Sequence, residues 1–120
     1  VLEDYVGDLF SDGCANPFML YSVEVKDPEK IPAATHVDGT ARYQTANADS
    51  GVIFKILEAF YAETNCPALI NTSFNIKGQP IVESPDDALS CFLETEIDYL
   101  FIGGVLLAKV GVVESGVAAV

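Results

Sequence analysis

Ser50-Gly51-Val52-Ile53-Phe54-Lys55-Ile56-Leu57-Glu58-Ala59-Phe60-Tyr61-Ala62-Glu63-Thr64 is the stretch on which the fold reading turns. Ile53, Ile56, Leu57, Phe60 and Tyr61 recur three and four positions apart, the spacing that gathers side chains on one face of a helix. Ser50 has the hydroxyl of an N-cap, and Asn65 ahead of Cys66-Pro67 supplies a stop. A helix with such a face needs a second layer to bury it, and a sheet is the expected partner.

The flanks supply strands. Thr35 to Ala46 carries Val37, Thr40, Tyr43 and Thr45 and reads as extended, with a bulge or tight turn at Asp38-Gly39. Pro67 to Thr72 is short, apolar and bounded by turn formers, which predicts a buried strand. Pro80 to Val82 adds a short extended piece after the turn at Lys77-Gly78-Gln79. Upstream, Leu2 to Phe10 reads as the amphipathic tail of a helix. Pro17 to Val25 reads as a strand that leaves through the polar, two-proline loop from Lys26 to Pro32.

Downstream, Ser84-Pro85-Asp86-Asp87 combines a capping hydroxyl, a proline at the first helical position and two carboxylates on the positive end of the helix dipole. Ala88, Leu89, Cys91, Phe92 and Leu93 furnish the buried face of that second helix. Asp98 to Ile102 and Val105 to Val110 read as a hairpin closed by Gly103-Gly104, and the tail 110–120 shows no interpretable pattern. The fold class that follows is α/β, with α+β as the alternative: a mixed twisted sheet with packed helices, in one domain over 1–120.

The 120 residues carry 18 Asp and Glu against 6 Lys and Arg, a net charge of -12, so a nucleic-acid backbone is repelled and is not an expected partner. No apolar run approaches the length of a spanning helix, and the start does not resemble a signal peptide, so a cytoplasmic setting without a membrane is expected. Val1 opens the chain and Met19 is its only methionine, which suggests a cut from something longer. Cys14, Cys66 and Cys91 are an odd number without C-x-x-C spacing, and read as reduced packing residues rather than a disulfide frame or zinc site.

Two polar clusters stand out. The first, Thr35-His36-Val37-Asp38-Gly39-Thr40-Ala41-Arg42, holds the only histidine and the only arginine of the chain. Arg42 offers a planar five-donor fork for phosphate or carboxylate; its simplest competing role is an ion pair with one of the many acids. His36 is a candidate base or ligand with Asp38 as orienter, although a lone histidine is more often structural. The second cluster, Asn71-Thr72-Ser73-Phe74-Asn75, presents amides and hydroxyls fit either to cradle an oxyanion or merely to close a turn.

The strings THVDGTARYQT (Thr35 to Thr45), PALINTSFNIKGQPIVESPDDAL (Pro67 to Leu89) and NPFML (Asn16 to Leu20) closely resemble the C-terminal region of the nodulation and antibiotic-biosynthesis O-carbamoyltransferases. The resemblance runs in order from Val1 to about Lys109. It implies part of a YrdC-like domain that binds ATP, with Mg²⁺, and carbamoyl phosphate to form carbamoyl adenylate. It further implies an N-terminal Kae1-like partner domain, holding a metal ion, that passes the carbamoyl group to an acceptor hydroxyl.

On that resemblance Arg42, Asn71 and Ser73 are the catalytic candidates. His36, Asp38, Thr40, Thr72 and Asn75 line the same substrate and nucleotide pocket, and no metal ligands are assigned in this stretch. Family members carry a basic segment upstream that these residues lack. The isolated stretch is therefore expected to be inactive, and to self-associate through surface that the segment covers. Two other readings stay open, a nucleotide- or carbamate-binding module without catalysis and a structural docking domain.

Overall fold

The computed structural model describes residues 1–109, so the 110–120 tail and the end of the expected Val105 to Val110 strand lie outside the described residues. The chain divides into two compact units, Val1–Asn71 and Thr72–Val120.

In the first unit a 3₁₀ turn at Glu3–Tyr5 runs into the single helical turn α1, Val6–Leu9. Leu2, Val6 and Leu9 are buried, as the amphipathic spacing requires. Strands β1 (Ser22–Glu24) and β2 (Thr40–Arg42) pair antiparallel, with Ser22 opposite Arg42, Val23 opposite Ala41 and Glu24 opposite Thr40. Val6, Leu9, Phe10, Val25, Ile31, Ala41 and Tyr43 form the core between these elements, with the Phe10 and Tyr43 rings stacked at 4.3 Å. Gly13 belongs to this packing: a Cβ there would stand 2.3 Å from Val6 Cγ1, so no other residue fits without displacing the core.

The long helix α2 spans Val52–Thr64 and ends at Asn65, whose φ of 57° is the left-handed stop that the sequence indicates. Its start differs from expectation. Ser50 closes a 3₁₀ turn, Ala48–Ser50, in a capping box with Asn47, and Gly51 at φ 65° turns the chain into the helix. Nor does α2 lie on a sheet. Leu57, 3% exposed, packs with Leu2 and Ala46, supported by Tyr5, Phe54 and Tyr61, while Ile53 and Ile56 remain 46% and 48% exposed. The apolar face is wider than the surface that covers it.

Segments expected to be strands are shorter than their composition suggests. Residues 36–39 form a turn in which the Gly39 N–H donates to the His36 carbonyl at 2.9 Å, leaving only Thr40–Arg42 as strand. Pro17 to Val25 joins β2 only over Ser22–Glu24, with Val25 in an isolated antiparallel bridge to Phe10, and the Asn16 side chain captures the Leu20 N–H and so diverts it from any ladder. Pro67 to Thr72 is not a strand: the Pro67 carbonyl accepts from Leu2 N–H at 2.9 Å, but Leu69 and Ile70 are exposed. The apolar run therefore ends in solvent rather than in a sheet.

In the second unit α3 spans Pro85–Glu94 behind a capping box, with Asp87 N–H donating to Ser84 Oγ at 3.2 Å and Ser84 N–H to Asp87 Oδ2 at 3.1 Å. Ala88, Cys91 and Phe92 face inward, and the Lys109 ammonium stands 5.5 Å over the Phe92 ring. Strands β3 (Tyr99–Ile102) and β4 (Val105–Ala108) form the expected hairpin, with Gly103 and Gly104 at φ 57° and 81°. Two consecutive positive φ values suit the right-handed strand twist and select glycine. Pro80 to Val82 is irregular, tied by Val82 N–H to the Phe74 carbonyl at 2.9 Å.

Helices with small antiparallel sheets make this an α+β fold. In place of a mixed twisted sheet, the described residues hold two separate two-stranded antiparallel sheets.

Candidate functional site

Residues 41, 43 and 45 are buried and 42 and 44 exposed, so the strand alternation of β2 continues two residues past its last ladder bond. Thr40, Arg42 and Gln44 consequently share the outward face. Pinning the inward face is the Tyr43 hydroxyl, which donates to the Cys14 carbonyl at 2.9 Å and accepts from the Cys14 N–H at 3.0 Å. Burial pushes the Tyr43 hydroxyl above its ordinary pKa, keeping it a neutral donor. Arg42 is thereby held at a fixed point on the surface.

Asn71 reaches this face. Its amide donates to Gln44 Oε1 at 3.2 Å, bringing residues 27 positions apart together. Among the described residues Arg42 has neither an ion pair nor a side-chain hydrogen bond, so its fork is open despite the acidic chain. The competing salt-bridge role is not realised there. Gln44 escaped the sequence reading. The alternation that exposes Arg42 also exposes Gln44, and that was the signal available.

Opposite Arg42 on β1, Ser22 Oγ donates to Thr40 Oγ1 at 3.1 Å, and Thr40 Oγ1 donates to Asp38 Oδ1 at 2.8 Å. Asp38 Oδ1 also accepts the Thr40 N–H at 3.0 Å, and these two bonds from Thr40, with a smaller contribution from His36, hold its carboxyl below the ordinary range. Asp38 therefore works as a turn-former for Thr40. The His36 ring makes no hydrogen bond among the described residues; its backbone N–H donates to the Thr40 carbonyl at 2.7 Å, and its carbonyl accepts from the Gly39 N–H at 2.9 Å.

Thr72, Ser73 and Asn75 belong to the second unit. Thr72 and Ser73 are exposed, whereas the Asn75 amide is spent on the Ile76 and Gln79 carbonyls, both at 3.1 Å, closing the turn around Lys77. Asn75 thus takes the turn-closing role that the sequence left open.

Two open grooves mark the first unit. One of about 400 Å³ is bordered by Glu3, Asp4, Tyr5, Phe54, Glu58 and Tyr61, and one of about 420 Å³ by Asp12, Cys14, Tyr21, Glu24 and Tyr43. Their carboxylates are the wrong sign for a phosphate, and Arg42, Gln44 and Asn71 border neither groove. No cluster of three His, Cys, Asp or Glu side chains among the described residues is placed to hold a metal ion. The three cysteines are free: Cys91 packs in a core, whereas Cys14 is exposed and Cys66 half-buried. No helix of the described residues is long and apolar enough to cross a membrane.

An α+β domain with one open arginine fork on an acidic body is the class that fold and site define. Residues 1–109 match the family described as Carbamoyltransferase C-terminus, and the chain belongs to that family. It is 40% identical over 114 residues to the nodulation protein NolO of Bradyrhizobium diazoefficiens, covering 90% of this chain and 21% of that protein. It is 37% identical over 116 residues to nodulation protein U of Rhizobium tropici, covering 94% and 20%. An uncharacterized Synechocystis protein, sll1178, is 38% identical over 132 residues, covering 91% and 22%. The chain spans about a fifth of the length of these relatives.

Proposed function

We propose that this domain serves a longer O-carbamoyltransferase by binding ATP, its Mg²⁺ and carbamoyl phosphate, and by forming carbamoyl adenylate. The observation that carries this reading is the open Arg42 fork beside the Asn71 and Gln44 amides in a chain of net charge -12. In so acidic a body, a guanidinium on a paired strand, with no carboxylate partner among the described residues, favours an anionic ligand.

In this reading Arg42 donates paired hydrogen bonds to phosphate oxygens, and the Asn71 amide orients the carbamoyl oxygens. Carbamoyl phosphate first loses its phosphoryl group to water as inorganic phosphate, leaving carbamate; a carbamate oxygen then attacks the α-phosphorus of ATP in line, the α–β anhydride bond breaks, and pyrophosphate leaves. One arginine matches one phosphoryl group. Mg²⁺ and cationic groups elsewhere in the polypeptide would carry the remaining triphosphate charge. An N-terminal Kae1-like domain with its own metal ion would then deliver the carbamoyl group to an acceptor hydroxyl, in a cytoplasmic biosynthetic step of the nodulation or antibiotic type.

Isotope exchange between pyrophosphate and ATP, dependent on carbamoyl phosphate in the full-length protein, tests the reading. Exchange that disappears in Arg42→Ala supports it. ATP binding without exchange would instead point to a non-catalytic nucleotide-binding module, and neither binding nor exchange to a docking domain.

A further inference from the structure

Asn16 is 1% exposed, and every polar group it owns is engaged. Its N–H donates to Thr45 Oγ1 at 2.9 Å, its side-chain amide donates to the Tyr43 carbonyl at 2.9 Å, its Oδ1 accepts the Leu20 N–H at 2.9 Å, and its carbonyl accepts from Thr45 N–H at 3.1 Å and Met19 N–H at 3.4 Å. Gln44 Nε2 adds a bond to the Pro17 carbonyl at 2.8 Å. The loop from Asn16 to Tyr21 is thus clamped at its start to the segment that continues the Arg42 strand, closed on itself by the Asn16–Leu20 bond, and followed directly by Ser22, which pairs with Arg42.

What this clamp presents is apolar. Phe18 is 78% and Leu20 68% exposed, and Met19 sits at φ 54°, a left-handed conformation that disfavours a long side chain. Loop tips left to solvent are ordinarily polar and mobile, and neither a buried asparagine nor a strained methionine is needed to hold one there. Holding an apolar tip rigid lowers the ordering cost of binding something else.

We propose that the Asn16–Tyr21 loop is a preformed docking element whose Phe18 and Leu20 side chains insert into an apolar recess of the same polypeptide, outside these 120 residues. Two observations select that occupant. The relatives devote about four-fifths of their length to sequence outside the matched region, and the loop lies within the matched residues 1–109. Since Gln44 bonds both Pro17 and Asn71, docking of the loop also steadies the Arg42 face. The proposal does not depend on which anion that face takes.

The test is site-specific photo-crosslinking in the full-length protein. Phe18→p-benzoylphenylalanine is irradiated and its products mapped by mass spectrometry, with Val37→p-benzoylphenylalanine as the control at a fully exposed position of the same unit. The expected result is an intramolecular cross-link from position 18 to peptides outside residues 1–120, at several-fold higher yield than from position 37. That yield should fall to the control level when Leu20→Asp is added. Covalent dimers would replace the proposed occupant with a second copy. Cross-links confined to residues 1–120, a yield no higher than at position 37, or indifference to Leu20→Asp would each overturn the proposal.

Discussion

The Asn71 side-chain amide donates to Gln44 Oε1 at 3.2 Å, and this bond joins the segment that follows α2 to the strand face that carries Arg42. A second Gln44 bond, from Nε2 to the Pro17 carbonyl at 2.8 Å, ties the same side chain to the apolar loop. Gln44 is the residue through which three segments meet.

For Arg42→Ala in the full-length protein, a lost charge-assisted contact to phosphate is worth on the order of 2 to 3 kcal/mol, or roughly a hundredfold in pyrophosphate–ATP exchange. Arg42 is exposed and unpaired among the described residues, so the melting temperature should stay nearly unchanged. On the proposed reading, in which both groups hold one ligand, adding Asn71→Ala should cost less than the product of the single losses. Multiplicative losses would assign the two residues to separate sites.

Leu57, rather than Phe60, anchors α2. Leu57→Ala should cost about 2 to 5 kcal/mol by urea unfolding, whereas Phe60→Ala, at a half-buried position, should cost distinctly less. The reverse order would mean that the wide apolar face of α2 is covered differently in solution.

Asn16→Ala removes the donor to the Tyr43 carbonyl and the acceptor of the Leu20 N–H in a buried place. Leaving such groups unpartnered costs about 1 to 3 kcal/mol. Amide hydrogen exchange should also accelerate at Leu20, and unchanged protection there would show that the loop is held by other means.

Acid should loosen α3 by a route that Ser84 controls. The Ser84 hydroxyl and N–H hold the Asp87 carboxyl below its ordinary 3.8, so ionised Asp87 stabilises the folded state fully above pH 3.8. That contribution is lost as pH falls through the lower folded pKa, where the native carboxylate finally protonates. Ser84→Ala should cost about 1 kcal/mol near neutrality and flatten this acid limb in circular dichroism titrations. An unchanged limb would assign the acid loss to other carboxylates.

Local chemistry made much of the chain legible. The capping box at Ser84 and Asp87, the Asn65 stop and the Gly103-Gly104 turn depend on groups within a few residues of one another, and each stands where its residues place it. The motifs of Thr35 to Thr45 and Pro67 to Leu89 likewise sufficed to indicate the family that residues 1–109 match. Strand length and burial were decided elsewhere. Ladder bonds need a partner: Pro67 to Thr72 has strand composition, but only Pro67 meets Leu2, while Asn16 diverts the backbone of the segment before β1. In the same way, sequence marked Arg42 and Asn71 as polar candidates, but only tertiary structure brought Asn71 to Gln44 and left the guanidinium without a carboxylate among the described residues. Helix caps and turns are short-range and therefore written locally, whereas a strand partner or an open charge depends on which distant surface the folded chain brings beside it.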